Sequence, residues 1–307
     1  MPKDLRIVYM GTPEFAVPAL ELLIQEGWNV VAVITAPDKP QGRGKKLGSS
    51  PVKDCAQKHG IPILQPTNLK SPEFQETLRE FRADLQVVVA FRMLPESVWS
   101  MPPMGTFNLH ASLLPNYRGA APINWAIING EKETGITTFF LQHEIDTGNI
   151  IRQEREPIYE EDNAGTLYER LMHRGAKLVV QTVRDIAEGT VTPQPQDDSS
   201  PVNHAPKLFK ETCQIDWSKS SIDIHNLIRG LSPYPAAWTL LNGKSCKIFA
   251  SKPLDEPLEG LEPGSYVSDN KSYLHFQTGQ GALAILSLQA EGKRRMSVEE
   301  FLRGNTV

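Results

Sequence analysis

Three polar side chains in two short stretches are of types that could do chemistry together. Asn108 and His110 lie in Phe107-Asn-Leu-His-Ala-Ser-Leu-Leu-Pro115, and Asp146 in Glu144-Ile-Asp-Thr-Gly148. The first stretch is predicted to end a buried strand, Gly105 to His110. Alternation along a strand puts Asn108 and His110 on the same side. An amide beside an imidazole at a strand end can polarise a carbonyl, and a carboxylate from a later strand could orient that imidazole and balance its charge. From the triplet alone, a strand end capped by an Asn and a satisfied His stays open as well. The residues that follow favour chemistry. Ser112-Leu-Leu-Pro115 and Tyr117-Arg-Gly-Ala-Ala-Pro122 make an apolar, Gly/Pro-shaped loop at the strand's carboxyl end, where open α/β sheets place ligands.

The elements that must position these groups alternate. Strands are predicted at Arg6 to Met10, Val30 to Ile34, Ile61 to Leu64, Leu85 to Ala90, Gly105 to His110, Ile136 to Leu141 and Ile150 to Ile158. Helices are predicted at Glu14 to Gln25, Pro72 to Arg82 and, ending at a glycine, Ala164 to Gly189. Strand–helix alternation with near-continuously apolar strands implies an α/β fold with a doubly wound, mostly parallel sheet over residues 1–189. Pro193, Pro195, Pro201 and Pro206 among polar residues mark 190–206 as a linker. Residues 207–307 hold one helix, Ser221 to Arg229, and short strands at Ala237 to Leu241, Ser245 to Ala250, Gly264 to Ser268, Ser272 to Gln277 and Gly281 to Gln289. With the Asn242-Gly243 turn signal they predict a small, OB-like β-barrel.

Composition excludes several classes. No stretch is long and apolar enough to span a bilayer, and the N-terminal residues lack a signal peptide's apolar core, so a cytoplasmic location is expected. Cys55, Cys213 and Cys246 are scattered and the seven His show no ligand spacing, so no metal is expected. Gly11-Thr-Pro-Glu14 after the first strand is not a dinucleotide fingerprint, and no Walker lysine motif occurs. Asp146-Thr-Gly148 matches the aspartic-protease signature, but that chemistry needs two such carboxylates and one copy is present.

A net charge of −4 argues against a general nucleic-acid coat. Local cations run the other way. Lys39-Pro-Gln-Gly-Arg-Gly-Lys-Lys-Leu47 reads as a long loop after the second strand, and Arg43, Lys45 and Lys46 beside glycines could fold onto a phosphate backbone. Lys207 and Lys210 flank the linker exit, and Lys293, Arg294 and Arg295 form a second cluster beside the barrel.

These motifs resemble a known family. Asn108-x-His110-x-Ser112-Leu-Leu-Pro-x-Tyr-Arg-Gly119 with Asp146-Thr-Gly148 is similar to the signature of 10-formyltetrahydrofolate-dependent formyltransferases. Gly11-Thr-Pro-Glu-Phe15, Gly42-Arg-Gly44, Arg229-Gly-Leu-Ser-Pro-Tyr-Pro-Ala-Ala-Trp238 and Gly292-Lys-Arg-Arg-Met-Ser297 resemble the branch that formylates initiator methionyl-tRNA. The resemblance spans essentially the whole chain. It implies catalysis by Asn108, His110 and Asp146, and a folate site bordered by Ser112, Leu113, Leu114, Pro115, Phe91, Met93 and Leu94. It further implies that Phe15 serves the methionine pocket, that Arg43, Lys45 and Lys46 meet the acceptor arm, and that the barrel holds tRNA through its backbone, with Lys207, Lys293, Arg294 and Arg295 among the contacts. A monomer is expected. One departure is visible: Arg92 follows Ala90-Phe91 where family members often carry glycine. A formyltransferase for nucleotide-linked amino sugars or a formyl-folate hydrolase would share the triplet, as a non-catalytic folate or RNA binder could. The basic loop discriminates against the first two and the intact triplet against the third.

Overall fold

The structure, a computed structural model, describes residues 4–41, 46–197, 199 and 201–307. The chain runs β1 (Ile7–Gly11), a 3-10 turn (Glu14–Ala16), α1 (Val17–Gln25), β2 (Val30–Ile34), β3 (Lys39–Gln41), β4 (Lys46–Gly48), α2 (Pro51–Lys58), β5 (Ile63–Leu64), α3 (Pro72–Glu80), β6 (Leu85–Val89) and α4 (Glu96–Trp99). Then come β7 (Thr106–His110), β8 (Arg118–Gly119), α5 (Pro122–Ile128), β9 (Glu133–Phe140), β10 (Ile150–Pro157), α6 (Ala164–Glu188) and β11 (His204–Ala205). The chain continues through α7 (Ser221–Leu231), β12 (Ala237–Leu241), β13 (Lys244–Leu254), β14 (Tyr266–Ser268), β15 (Leu274–Gln277), β16 (Ala282–Ala290), β17 (Met296–Ser297) and α8 (Val298–Leu302). By contacts it forms two compact units: Met1–Arg118 with Gly135–Glu156 and Tyr168–His204, and Gly119–Thr134 with Pro157–Leu167 and Ala205–Val307. Among the described residues no helix is long and apolar enough to cross a membrane.

The first unit is built on a seven-stranded sheet in the order β10-β9-β7-β6-β1-β2-β5. Strands β5, β2, β1, β6 and β7 are parallel, as their apolar runs predict. Every residue of β1 and of β6 is buried, which requires cover on both faces. On one face Val8, Met10, Ala32, Ile34 and Val88 pack with Phe74 and Leu78 of α3 and Val98 of α4. On the other lies α6, whose Gly175 approaches Leu109 of β7 so closely that an added Cβ would sit 2.7 Å from Leu109 Cδ2. The strand order reverses between β1 and β6, so loops leaving neighbouring strands diverge there and leave a crevice at the carboxyl edge.

Two features differ from the sequence expectations. Lys39 to Leu47, read as a loop, contains an antiparallel ribbon in which Lys39, Pro40 and Gln41 face Gly48, Leu47 and Lys46. Lys, Pro and Gln carry little strand propensity, so the pairing left no sequence signal. The ribbon's base is fastened where Asp38 accepts from Lys53 Nζ at 2.5 Å and from Gln65 Nε2 at 2.8 Å. These bonds hold the Asp38 carboxyl below its ordinary range. The second feature is the Pro-rich stretch after α6. Gln194 exchanges both backbone hydrogen bonds with Ile150, at 2.7 and 2.9 Å, so it lies along the sheet edge.

The second unit is an antiparallel sheet in the order β12-β13-β16-β15-β14, with β17 on β16, forming a half-barrel. Asn242 and Gly243 both take positive φ, as a tight hairpin turn requires, and join β12 to β13. Its core gathers Ile224, Ile228 and Leu231 of α7 with Ile248, Phe276, Leu283, Ile285 and Leu288 of the sheet and Phe301 of α8. Trp217 stacks on Phe276 at 4.3 Å. Arg229, buried in α7, donates to Asn226 Oδ1 and to the carbonyls of Tyr159 and Asp162. Arg229-Gly230, quoted above for its resemblance, is therefore a packing motif of this unit. A Cβ at Gly230 would meet Ile128 of α5 at 2.6 Å.

Candidate active site

Strand β7 lies between β6 and β9, with Asn108 facing Val88 on one side and Phe139 on the other. Leu109 points to α6. Asn108 and His110 therefore share the opposite face, the one packed by α3 and α4. Asn108 is half-buried, and among the described residues no hydrogen bond engages its amide. His110 is buried, and both ring nitrogens face protein acceptors. Nε2 lies 2.8 Å from the Tyr117 carbonyl, and Nδ1 lies 3.8 Å from Asp146 Oδ2. The first distance fixes Nε2 as the protonated nitrogen, because a carbonyl can only accept. The second is an ion-pair distance, too long for a direct hydrogen bond. The two side chains are 7% and 13% exposed, so a charge on either is felt strongly by the other.

Asp146 arrives by a route the sequence did not indicate. Strand β9 is antiparallel to β7, with His110 opposite Thr137 and Phe107 opposite Phe140. The loop after β9 thus begins at the far end of β7, where Leu141 N bonds to Thr106 O. It must fold back over the strand's face to bring Asp146 to His110. Asp146 takes φ +56°, in the left-handed region that Asp tolerates better than most residues. Gly148 lies so close to Phe140 O that an added Cβ would be 1.6 Å from it.

The segment after β7 is tied down at one hub. Thr137 Oγ1, fully buried, donates to Ser112 O at 2.6 Å and accepts from Leu114 N and Gln153 Nε2. Gln153 also donates to Leu114 O, and Ser112 Oγ donates to Asn116 O. Ser112 and Leu114 are thereby buried while Leu113 and Pro115 stay half-buried. Tyr117 takes φ +61°, which turns its carbonyl to His110. The segment leaving β6 starts at the neighbouring strand end, with Ala90 at φ +47°. Beyond it Phe91 is half-buried, Met93 is 76% exposed and Leu94 is buried. Arg92 donates to the carbonyls of Thr67 and Pro66 and lies over the Phe91 ring. A surface cleft of about 320 Å³ lies beside it, lined by Gln65, Pro66, Thr67 and Asn68, and none of the triplet borders it.

The other residues singled out by sequence are dispersed. Phe15 is buried with its ring edge-on to Tyr168 at 5.1 Å. Arg43 and Lys45 lie outside the described residues, as does the side chain of Lys46. Lys207 reaches over the Phe209 ring at 5.7 Å, and Lys210 over Trp238 at 5.5 Å. Lys293 is exposed in the turn after β16, Arg294 pairs with Glu300 at 3.2 Å, and Arg295 lies over Phe249 and donates to Ser287 Oγ. Sequence reasoning missed Thr137, Gln153 and Gln196, which carry no local motif. It noted Tyr117 and Arg118 as loop residues and within the family signature, without assigning either a role. It also missed Glu21, Cys55 and His59, whose donor atoms lie within 4.8 Å of one another on α1, α2 and the residue capping α2. Burial pushes the Cys55 thiol up to about 11, so at neutral pH it is a thiol and not the thiolate that binds metals.

Known proteins match throughout. The family described as Formyl transferase matches residues 5–183, and Formyl transferase, C-terminal domain, matches residues 207–306. The methionyl-tRNA formyltransferase of Bacteroides fragilis is 56% identical over 98% of this chain and 95% of its own length. That of Flavobacterium johnsoniae is 52% identical over 99% and 97%. Among solved structures, WlaRD, a sugar 3N-formyl transferase, superposes with a TM-score of 0.68 at 22% identity, covering 94% of this chain and 99% of that one. HypX from Aquifex aeolicus gives 0.67 at 18% identity, covering 97% of this chain and 48% of HypX. At those identities the likeness is one of fold.

Proposed function

The chain belongs to the methionyl-tRNA formyltransferases of the formyl transferase family, and we propose that Asn108, His110 and Asp146 carry the transfer in this member. Family members use folate donors. The donor read here is 10-formyltetrahydrofolate, which supplies the formyl group as a second substrate, and the acceptor is the α-amine of methionine on initiator tRNA. The amine nitrogen bonds to the formyl carbon, the bond from that carbon to N10 breaks, and one proton passes from the amine to N10. Nothing in this balance requires a covalent enzyme intermediate or a metal.

What carries the assignment of roles is the state of the two ring nitrogens of His110. With Nε2 given to Tyr117 O and Nδ1 turned to Asp146, neither is free to hold the formyl oxygen without losing a partner. Asn108, on the same face and with no competing hydrogen bond among the described residues, is the donor for the negative charge that gathers on that oxygen. His110 and Asp146 form the proton-handling pair. The 3.8 Å between them would let one water bridge them and carry the amine proton towards N10.

A folate donor fits the surroundings. Leu114, Pro115, Phe91 and Leu94 supply apolar surface for a flat ring system at adjacent strand ends, and three residues there and facing them, Ala90, Tyr117 and Asp146, hold left-handed backbone that the surrounding contacts must support. Arg43, Lys45 and Lys46 would contact RNA, residues 207–307 would add backbone contacts, and residues 1–189 would carry the chemistry. The reading takes the protein as a cytoplasmic monomer. Its direct test is incubation with formyl donor and either charged or uncharged initiator tRNA. Formyl-methionine should form on the charged tRNA alone, and formylation of an amino sugar nucleotide instead would refute it.

A further inference from the structure

The loop that brings Asp146 back over β7 has no regular structure to hold it, yet the position of its carboxylate must be kept to a fraction of an ångström. Two side chains grip its backbone. Gln196 Nε2 donates to Asp146 O at 2.8 Å and to Gly148 O at 2.9 Å. Gln196 Oε1 accepts from Arg118 Nη2 at 2.6 Å and from Arg118 Nε at 3.0 Å, and Arg118 Nε also reaches Asp146 O at 3.2 Å. The amide orientation is dictated by its neighbours: two carbonyls on one side need its N–H groups, and a guanidinium on the other needs its oxygen. A Glu at this position could satisfy the guanidinium but not the carbonyls.

Gln196 is itself held. Two residues earlier, Gln194 is bonded in both directions to Ile150, the first residue of β10. The loop between β9 and β10 is therefore spanned from outside by a residue fifty positions downstream of Asp146, in the stretch that composition marks as a linker. Arg118 closes the arrangement from the other direction. It follows directly on Tyr117, whose carbonyl holds His110, so the grip on the Asp146 backbone and the fix on the His110 ring are joined through adjacent residues.

We propose that Gln196 is a positioning residue for formyl transfer, setting the Asp146–His110 separation by anchoring the backbone of Asp146 and Gly148 against Arg118. The proposal rests on the reading of Asp146 as part of the proton-handling pair. A group that acts only through another should matter only while that other group functions. A carboxylate displaced by about an ångström loses on the order of a hundredfold in rate.

The test is a double-mutant cycle read as kcat and KM on charged initiator tRNA. Gln196→Ala should lower kcat ten- to a hundredfold with KM for tRNA nearly unchanged. Gln196→Glu, which keeps a partner for Arg118 and loses both N–H donors, should fall as far, and it remains informative if the alanine variant folds poorly. In an Asp146→Asn background, Gln196→Ala should cost less than a further twofold. Equal losses from Gln196→Ala in both backgrounds would overturn the positioning role and leave the triplet standing. Wild-type kcat in Gln196→Glu would also overturn it. Wild-type turnover in Asp146→Asn alone would instead remove the catalytic reading on which the proposal depends.

Discussion

Asn108 and His110 sit two residues apart on one strand, but their surroundings differ, and so do the roles proposed for them. Thr137, Tyr117 and Asp146 crowd the His110 end, whereas the Asn108 amide stands clear of protein partners among the described residues. Removing an oxyanion donor typically costs about a hundred- to a thousandfold in turnover. Asn108→Ala is expected to lose kcat on that scale with KM for tRNA unchanged. Asp146→Asn keeps shape and removes charge, so it should be similarly damaging. Single-turnover formylation distinguishes the roles. A loss seen only as a raised KM would make Asn108 a binding residue rather than a donor to the developing oxyanion.

At the scale of elements, the segment proposed to border the donor depends on Thr137. Its hydroxyl satisfies a carbonyl and an N–H of the segment after β7 and accepts from Gln153. Thr137→Val keeps volume and leaves these buried groups without that partner, which should cost about 2 kcal/mol. Denaturant midpoints should record the loss, and the affinity for a folate analogue should fall with it. Unchanged folate affinity in a destabilised variant would show that this segment does not border the donor. Helix α7 offers a second test. Burial first, and then the Arg229 guanidinium, push the His225 imidazole below its ordinary pKa, while Ser251 Oγ lies 3.1 Å from Nδ1. An unfolded His titrates near about 6.5 and binds its proton more readily than the folded one. Stability from this group is therefore complete above that pH and lost as pH falls through it towards the folded value. Burial lowers His275 of β15 as well, in the same direction. Melting temperature should fall between about pH 7 and 5. His225→Gln should flatten that fall, and identical slopes would remove His225 as its source.

Across the whole molecule, each family half has its own core, and cations occur in both. Those near the C-terminus are partly engaged: Arg294 is paired with Glu300, and Arg295 is stacked on Phe249. Exposed Lys293 is the member of that cluster that meets a phosphate with least rearrangement. Arg43 lies outside the described residues, and its role rests on sequence alone. Arg43→Ala should weaken use of charged tRNA strongly and lower the slope of log affinity against log salt by roughly 0.7–0.9, one phosphate contact's worth. Lys293→Ala should act in the same direction and less. Titration at two salt concentrations checks both, and identical affinities and slopes for Arg43→Ala would sink that residue's role in RNA binding.

By itself the sequence determined the parallel sheet, because β1 and β6 are apolar almost throughout, Gln86 of β6 excepted, and only a strand covered on both faces needs that. It determined the Asn242-Gly243 hairpin, because that turn needs positive φ at both residues. It put Asn108 and His110 on one face, because side-chain alternation is local. Tertiary structure alone decided what depends on chain returns. The antiparallel insertion of β9 sends the loop carrying Asp146 back across β7. The pairing of Gln194 with Ile150 turns a Pro-rich stretch into the support for Gln196. The ribbon of β3 and β4 forms from residues with little strand propensity. The first two join positions far apart in the chain through backbone groups, which every residue possesses, so no pattern of residue types could reveal them.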